Sequence, residues 1–558
     1  MVTEKEEREG GGKHTSHPEK NARSRPDRAE KVKARSGRKE TVVKACLLRS
    51  LEQGQNRTAI RDAIRKRAYS FSRRMHAASL AVNHIVKEAY DGVLDSDLHS
   101  VGIPDVLDQT FIRQLMLGSR GAVNECGLVT GLHRRFPEYL MSDSDAPRFP
   151  GDRNVYSAGA IKYLTNTKTH LRMNVMRLLK KLIYSSRNWE GIVPGSTRWE
   201  QVGLLYSICG WDASRRRDNP DDEREAHDPV RQRLLDLVER HRGILRMGDT
   251  ECMTDTWCKE NARRLIPYMV YLMRCCERSD RGKFCNVLPI CRIKMHYITI
   301  DTSVLYGIAK ELNMTSANYE DFNALADEHW NSVFRVRRLQ GMHNEFTRNV
   351  ESDGVGISMH FTRPKNGNGS DVPTICRKND RVVGLDPGGV NILFAAEPLP
   401  AGRHRTYTLT RGQYYRESGI VDARRHSEHW NHGIRGCLNA MSRVTSKSTS
   451  LASFREFMHQ YTTIGSVHMW REYQRPRWSR QRLRLYGGKK RTLSRFYNRI
   501  ERDAQWGQRT VIAYGSARFN ASKGQVAVPT HSDYHAACHR FPVKIIDEFR
   551  TSWIDHET

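Results

Sequence analysis

The chain has 558 residues, with 92 lysines and arginines against 63 acidic residues, a formal net charge of +29 and an isoelectric point near 9.8. Charge of this size makes a nucleic acid the leading partner. The longest apolar run, Leu265 to Met273, contains Pro267 and is too short for a bilayer, and the charged start Met1 to Arg8 is no secretory signal, so membrane-spanning and secreted classes are set aside.

The length predicts three or four domains and allows a sizeable core. The 12 cysteines include no Cys-x-x-Cys pair, so zinc ribbons are not expected. Reduced thiols in packing roles, in a cytosolic or nuclear protein, are the expectation. Residues 1–45 are polar and charged, which predicts a disordered basic tail. Its cluster Lys31 to Lys39 reads as a nuclear import signal, a nucleic-acid-binding arm or simply a solvated segment.

From Thr58 to Tyr90 the apolar positions Ile60, Ile64, Ala68, Phe71, Met75, Leu80, Val82 and Ile85 follow helical spacing. Arg61, Arg65 and Arg73 stand between them and give the helix a basic face suited to a phosphate backbone. Residues 100–280 continue mostly helical, with Asp228-Pro229 opening a helix to about Met247. Phe284 to Pro289, Lys294 to Ile300 and Gly354 to Phe361 read as strands separated by helical insertions, which suggests a small β-barrel.

Val382-Val383-Gly384-Leu385-Asp386 then runs an apolar strand into one aspartate, followed at once by Pro387-Gly388-Gly389. A carboxylate on a rigid strand end with open space before it is how a metal-dependent nuclease holds its first ligand. The alternative is a hairpin turn in which Asp386 only hydrogen-bonds backbone. Ile392 to Phe394 and Arg405 to Leu409 continue as second and third strands. Residues 412–508 are helical and very basic, with Arg480, Arg484, Lys489, Lys490, Arg491 and Arg495 interleaved with Tyr473, Trp478, Tyr486, Phe496 and Tyr497. Cations for phosphates beside planar rings for bases suit single strands or an RNA–DNA hybrid. Thr510 to Tyr514 reads as a fourth strand, Thr530 as the cap of a short helix with Asp533 three residues on, and Val543 to Asp547 as a fifth strand ending at Glu548. Three strands, helices, strand, helix, strand is the ribonuclease-H-like order, which sets strand ends on one edge. His531, His535, Cys538 and His539 share one helix face, yet a zinc site is not expected there because Cys538 fits the core-facing side. No phosphate-loop motif anchors an ATPase reading.

Val383 to Gly388, Val511 to Phe519 and Asp547 to Ser552, in this order and spacing, resemble the RuvC-like nuclease domain of the Fanzor family, eukaryotic relatives of the TnpB nucleases. Lys283 to Asp301 and Asp353 to Ser358 are similar to the strands that precede that domain in the family, so the likeness covers about residues 280–552 and more loosely 55–280. The resemblance implies an α+β multidomain protein: a helical recognition lobe over 46–280, a wedge-like barrel with a helical insertion over 281–375, and a ribonuclease-H-like RuvC domain over 376–558. It implies an enzyme of mobile elements that cuts double-stranded DNA matched to a guide RNA, as a monomeric ribonucleoprotein in the nucleus. Asp386 matches the first metal-binding carboxylate and Glu548 the second, which Fanzor-type sequences carry on the later strand; together they would hold two Mg²⁺ ions. The family continues into a zinc-binding cysteine cluster and a third catalytic aspartate, whereas this chain reads Trp553 to Thr558 and stops, with Asp555 and Glu557 poor substitutes. The expectation is therefore little or no cleavage by this polypeptide alone, with a guide-RNA and DNA-binding protein that does not cut as the alternative. A plain RuvC-like resolvase or transposase fits less well, because the helical lobe before residue 280 is too large for that task.

Overall fold

The computed structural model describes residues 38–54, 56–117, 151–185, 198–211, 229–278, 285–364, 379–505, 508–516, 519 and 527–546. Strand β1 (Arg38–Cys46) leads to a 33-residue helix, α1 (Arg57–Ala89). Helices α2 (Asp152–Ser185), α3 (Pro229–Leu245) and α4 (Leu265–Arg278) follow, then β2 (Ile298–Ile300), α5 (Thr302–Glu311), β3 (Glu345–Ser352) and β4 (Gly356–Pro364). The last third is β5 (Arg381–Pro387), β6 (Asn391–Leu399), β7 (Arg403–Thr410), α6 (Arg411–Glu417), α7 (Ile420–Asn431), α8 (Leu451–Gln460), α9 (Ser466–Tyr473), α10 (Pro476–Arg502), β8 (Thr510–Gly515), α11 (Thr530–Cys538) and β9 (Val543–Ile546). The architecture is mixed α and β with two sheets. Among the described residues no helix is long and apolar enough to cross a membrane.

The first sheet has the order β1-β4-β3-β2 and is antiparallel throughout. The expected barrel does not close: β1 and β2 are open edges, and β2 offers only three residues for pairing. Strand β1 also begins inside the stretch read as a disordered tail. Thr41, Val43 and Ala45 turn inward and alternate with exposed Glu40, Val42 and Lys44, which is strand periodicity hidden under charge. Of the two strands expected over 284–300, only Ile298–Ile300 pairs. The segment before it is a strap on α1. The amides of Leu288, Cys291 and His296 donate to Asn83 Oδ1, Ser79 Oγ and Ser72 Oγ at 3.1, 3.0 and 2.8 Å. Three buried polar side chains on one stripe of α1 thus satisfy backbone groups that a neighbouring strand would otherwise satisfy. One hydrophobic core runs from Leu47 to Phe361, so the helical lobe and the first sheet, read as two domains, share it.

The second sheet has the order β7-β6-β5-β8-β9, with β5–β8 and β8–β9 parallel and the rest antiparallel. Val383, Leu385, Leu393, Tyr407, Ile512 and Tyr514 form its inner face under α6, α10 and α11. At the start of β5 the inner face closes on a buried ion pair: Arg381 donates to both carboxylate oxygens of Glu397 at 2.7 and 2.6 Å and to Tyr407 Oη at 2.9 Å. A third small cluster, with Leu80 of α1 against Phe454, Met458, Tyr461 and Met469, ties the helices between β7 and α10 to the first half of the chain.

Candidate nuclease carboxylate and nucleic-acid interface

Strand β5 alternates strictly: Arg381, Val383, Leu385 and Pro387 are buried, while Gly384 and Asp386 face outward. Asp386 is therefore on the face away from the core, at the carboxyl end of a strand with a parallel neighbour. Among the described residues nothing hydrogen-bonds or pairs with its carboxylate. The turn that follows is closed by backbone instead, Gly388 N donating to Ile392 O at 3.2 Å, so Asp386 is not a turn-capping residue. Partial desolvation holds its carboxyl above the usual aspartate value.

Register places the surroundings of Asp386. It pairs with Phe394 of β6, and the pairing of Leu385 with Tyr514 puts Gly515 level with it on β8; Gly515 in turn pairs with Ile546 of β9. With strands about 4.8 Å apart, the Ile546 backbone is roughly 10 Å away. Gly384, Ala396, Ala513 and Gly515 are the small residues of this face, while Phe394, paired directly with Asp386, and Ile546, level with Gly515, are its large apolar neighbours. A Cβ built on Gly384 would meet only Ala396 O, at 3.8 Å, so the protein itself does not require the space to be empty. Glu548, with Asp547, Asp555 and Glu557, lies outside the described residues. Among those described, no group of three His, Cys, Asp or Glu side chains gathers to hold a metal ion. Asp386 fits one ligand position of a Mg²⁺ site, but a hard cation needs more oxygens than one carboxylate supplies.

The basic residues fall into three groups. Arg61 and Arg65 line a cavity of about 530 Å³ with Arg49, Arg480 and Arg484, where α1, α10 and the turn between β3 and β4 meet. That turn needs glycine: Gly354 has φ +81°, and a Cβ there would lie 2.6 Å from Arg65 Cβ. Asp353 Oδ1 accepts from Gly356 N at 2.9 Å, while its Oδ2 accepts from Arg482 at 3.2 Å and fastens α10 to the turn. Burial pulls the Arg65 guanidinium below its usual value, and Arg61 and Arg480 push it the same way. Arg73 belongs elsewhere, in a cavity with Trp470, its guanidinium 5.5 Å from the Tyr69 ring. Lys489, Lys490, Arg491 and Arg495 continue along α10. Lys490 and Lys44 each stand 5.4 Å from the Tyr486 ring, and Arg495 reaches Glu417 at 3.8 Å.

Several expected contacts prove internal. Phe496 and Tyr497 are core residues, and Trp478 packs on Trp430 and Tyr473 while donating to Glu472 at 2.8 Å. Rings offered to bases are thus fewer than the interleaving suggested. Thr530 does not cap α11, which has no side-chain cap. Asp533 is fully buried and accepts from Tyr497 Oη at 2.8 Å and Tyr514 Oη at 3.0 Å. On the same helix Cys538 is exposed, against the core-facing side expected for it, and Ala537 is buried in its place. Arg49 escaped the sequence reading because it follows a strand hidden in the charged tail. Arg480 and Arg484, four residues apart on one helix face, carried a visible signal.

No family model matches the chain, and no curated protein matches it.

Proposed function

We propose that the chain is an RNA-guided DNA endonuclease of the Fanzor type, working in the nucleus as a monomeric ribonucleoprotein through a RuvC-like domain. The observation that carries this reading is Asp386: a carboxylate without a partner among the described residues, at the carboxyl end of a strand in a parallel pair, on the outward face of the sheet. Three antiparallel strands followed by two parallel ones, with helices on the inner face, supports a ribonuclease-H-like domain. The net charge and the arginine-lined cavity support a polyanionic partner.

Asp386 and Glu548 are the residues assigned to hold Mg²⁺. Bound Mg²⁺ supplies an activated water and charge stabilisation at the leaving oxygen. The chain's own part is to fix the carboxylate on a rigid strand. A second reading, guide-RNA and DNA binding without cleavage, is favoured by one observation. The slot beside Asp386 on β8 holds Gly515 and offers no second carboxylate.

Purifying the protein from cells, sequencing the RNA that comes with it and supplying matched DNA with Mg²⁺ separates the two readings. The nuclease reading expects weak cuts in the matched DNA, abolished by Asp386→Ala and by Glu548→Ala. The binding reading expects retention of matched DNA, no cuts, and equal affinity in all three proteins. Absence of any specific co-purifying RNA would sink both.

A further inference from the structure

We propose that the cavity at the amino end of α10 seats one nucleotide of a bound single strand, and that the strand crosses α10 at Arg484 into the adjoining cavity beside Trp430. The inference rests on the reading of the chain as a nucleic-acid-binding protein, and not on its cutting DNA.

The charge is gathered at a cost and left largely unneutralised. Arg49, Arg480 and Arg484 have no carboxylate partner among the described residues, while Arg61 donates to both oxygens of Asp62 at 2.9 and 2.8 Å, a carboxylate that also draws on Arg65. Arg65 spends one N–H on Gln474 O at 3.4 Å. Guanidiniums brought together from α1, α10 and the segment after β1 repel one another until an anion enters. Pro476, at the start of α10, also lines the cavity, so the positive end of a 27-residue helix faces the same space.

The cavity suits a nucleotide better than a bare phosphate. Its volume of about 530 Å³ is in the range of small-molecule sites, and Leu48, Val355 and Leu483 supply an apolar side against which a base of any identity can lie. Charge then continues along α10. Arg480, Arg484, Arg491 and Arg495 lie on one stripe of α10, about 22 Å long at 1.5 Å per residue, and all four are exposed. A second cavity, of about 420 Å³, shares Arg484 with the first and adds Arg491 and a stacked pair, His426 and Trp430, with ring centroids 5.6 Å apart; Glu417 and Asp422 also line it and Arg477 stands 5.0 Å from the Trp430 ring, so a phosphate there belongs on the Arg484–Arg491 side. Two nucleotide-sized spaces joined by one guanidinium fit a linear polymer of phosphates and rings. A mononucleotide would use one of them, and an acidic peptide lacks the flat group that the apolar side receives.

The test uses the whole chain, freed of co-purifying RNA, and the anisotropy of a labelled mixed-sequence RNA of about 15 nucleotides, near the upper site size of single-strand binders. Arg480→Ala with Arg484→Ala is expected to weaken binding about 10- to 100-fold near 0.1 M salt. It should also flatten the slope of log affinity against log salt by about 1.4, two contacts at about 0.7 each. Leu483→Trp, which fills the apolar side without removing charge, is expected to weaken binding with the slope unchanged. Wild-type affinity and slope in the double variant overturn the proposal, and so does competition by polyglutamate equal to that of unlabelled RNA. An unaffected Leu483→Trp overturns the seat. If the double variant does not fold, Arg49→Ala and Leu483→Trp decide, and binding unchanged in both rejects the inference. Strong binding without cleavage would count against the nuclease reading and leave this one standing.

Discussion

Glu397→Ala is expected to cost the second sheet about 3–5 kcal/mol, the typical loss when one member of a buried ion pair is removed and the other stays. The Arg381 side chain is 3% exposed, and two of its N–H groups point at Glu397. Without that carboxylate it keeps Ile500 O at 2.6 Å and Tyr407 Oη at 2.9 Å, and a full positive charge inside the core. Arg405 lies 3.7 Å from Glu397 but is 41% exposed, so water screens its share. Amide exchange of β5 and β6 is the local readout, and the expected loss of protection is about 100-fold to 4,000-fold. Replacing both partners, Arg381→Met with Glu397→Leu, should recover most of it, because the penalty lies in the unpaired charge. The pH dependence has a definite sign. The Arg381 guanidinium holds the Glu397 carboxyl below its ordinary value, so its contribution is present above the unfolded value and is lost as pH falls through the folded one. Protection unchanged in Glu397→Ala would mean that the pair does not hold the sheet.

The second large effect is expected at Asp533, with the opposite sign. Burial pushes its carboxyl up to about 7, against the hydroxyls of Tyr497 and Tyr514, which favour the charged form. A raised carboxyl value means that the folded chain binds the proton more tightly. Stability is therefore full below about pH 4, where the unfolded residue also holds its proton. It declines as pH rises toward 7, and the whole penalty, at most about 4 kcal/mol, is present above that. Asp533→Asn has nearly the same shape and no charge, its carbonyl accepting from one tyrosine and its amide donating to the other. It is expected to melt close to wild type at pH 4 and clearly above it at pH 8. An equal loss at both pH values would show a carboxylate ionised throughout and stabilised by the two hydroxyls. The network joins α10 and α11 to β8, the strand beside Asp386, so its proton bears on the rigidity of the candidate site.

Much of this was legible where one periodicity dominates. The long helix α1 announces itself through apolar residues at helical spacing, and the five strands of the second sheet appear in order because their inner faces are nearly all Val, Ile, Leu and Tyr. The misses have physical causes. Strand β1 sits at an edge, and its outward residues are Glu and Lys. Strand β3 reads Glu-Phe-Thr-Arg-Asn-Val-Glu-Ser, half exposed and interrupted by a register shift, with Arg348 at φ 53°. The strap over 285–297 is apolar and extended, which is strand composition, but its hydrogen-bond partners are serines and an asparagine on a helix. Asp533 looked like a capping residue because sequence spacing does not tell a first-turn carboxylate facing water from one facing two tyrosines. At the candidate site, Asp386 stood out alone, because a polar residue closing an apolar strand is a local signal. The arginine-lined cavity joins residues more than 400 positions apart, and no local pattern encodes that meeting.

Manganese binding at Asp386 tests the central claim most directly. The wild-type protein and Asp386→Ala, each loaded with the same RNA–DNA hybrid, are to be titrated with Mn²⁺ and followed by electron paramagnetic resonance. The account predicts a bound Mn²⁺ population in the wild type that disappears in Asp386→Ala while hybrid affinity stays the same. Equal Mn²⁺ occupancy in the two proteins would contradict it.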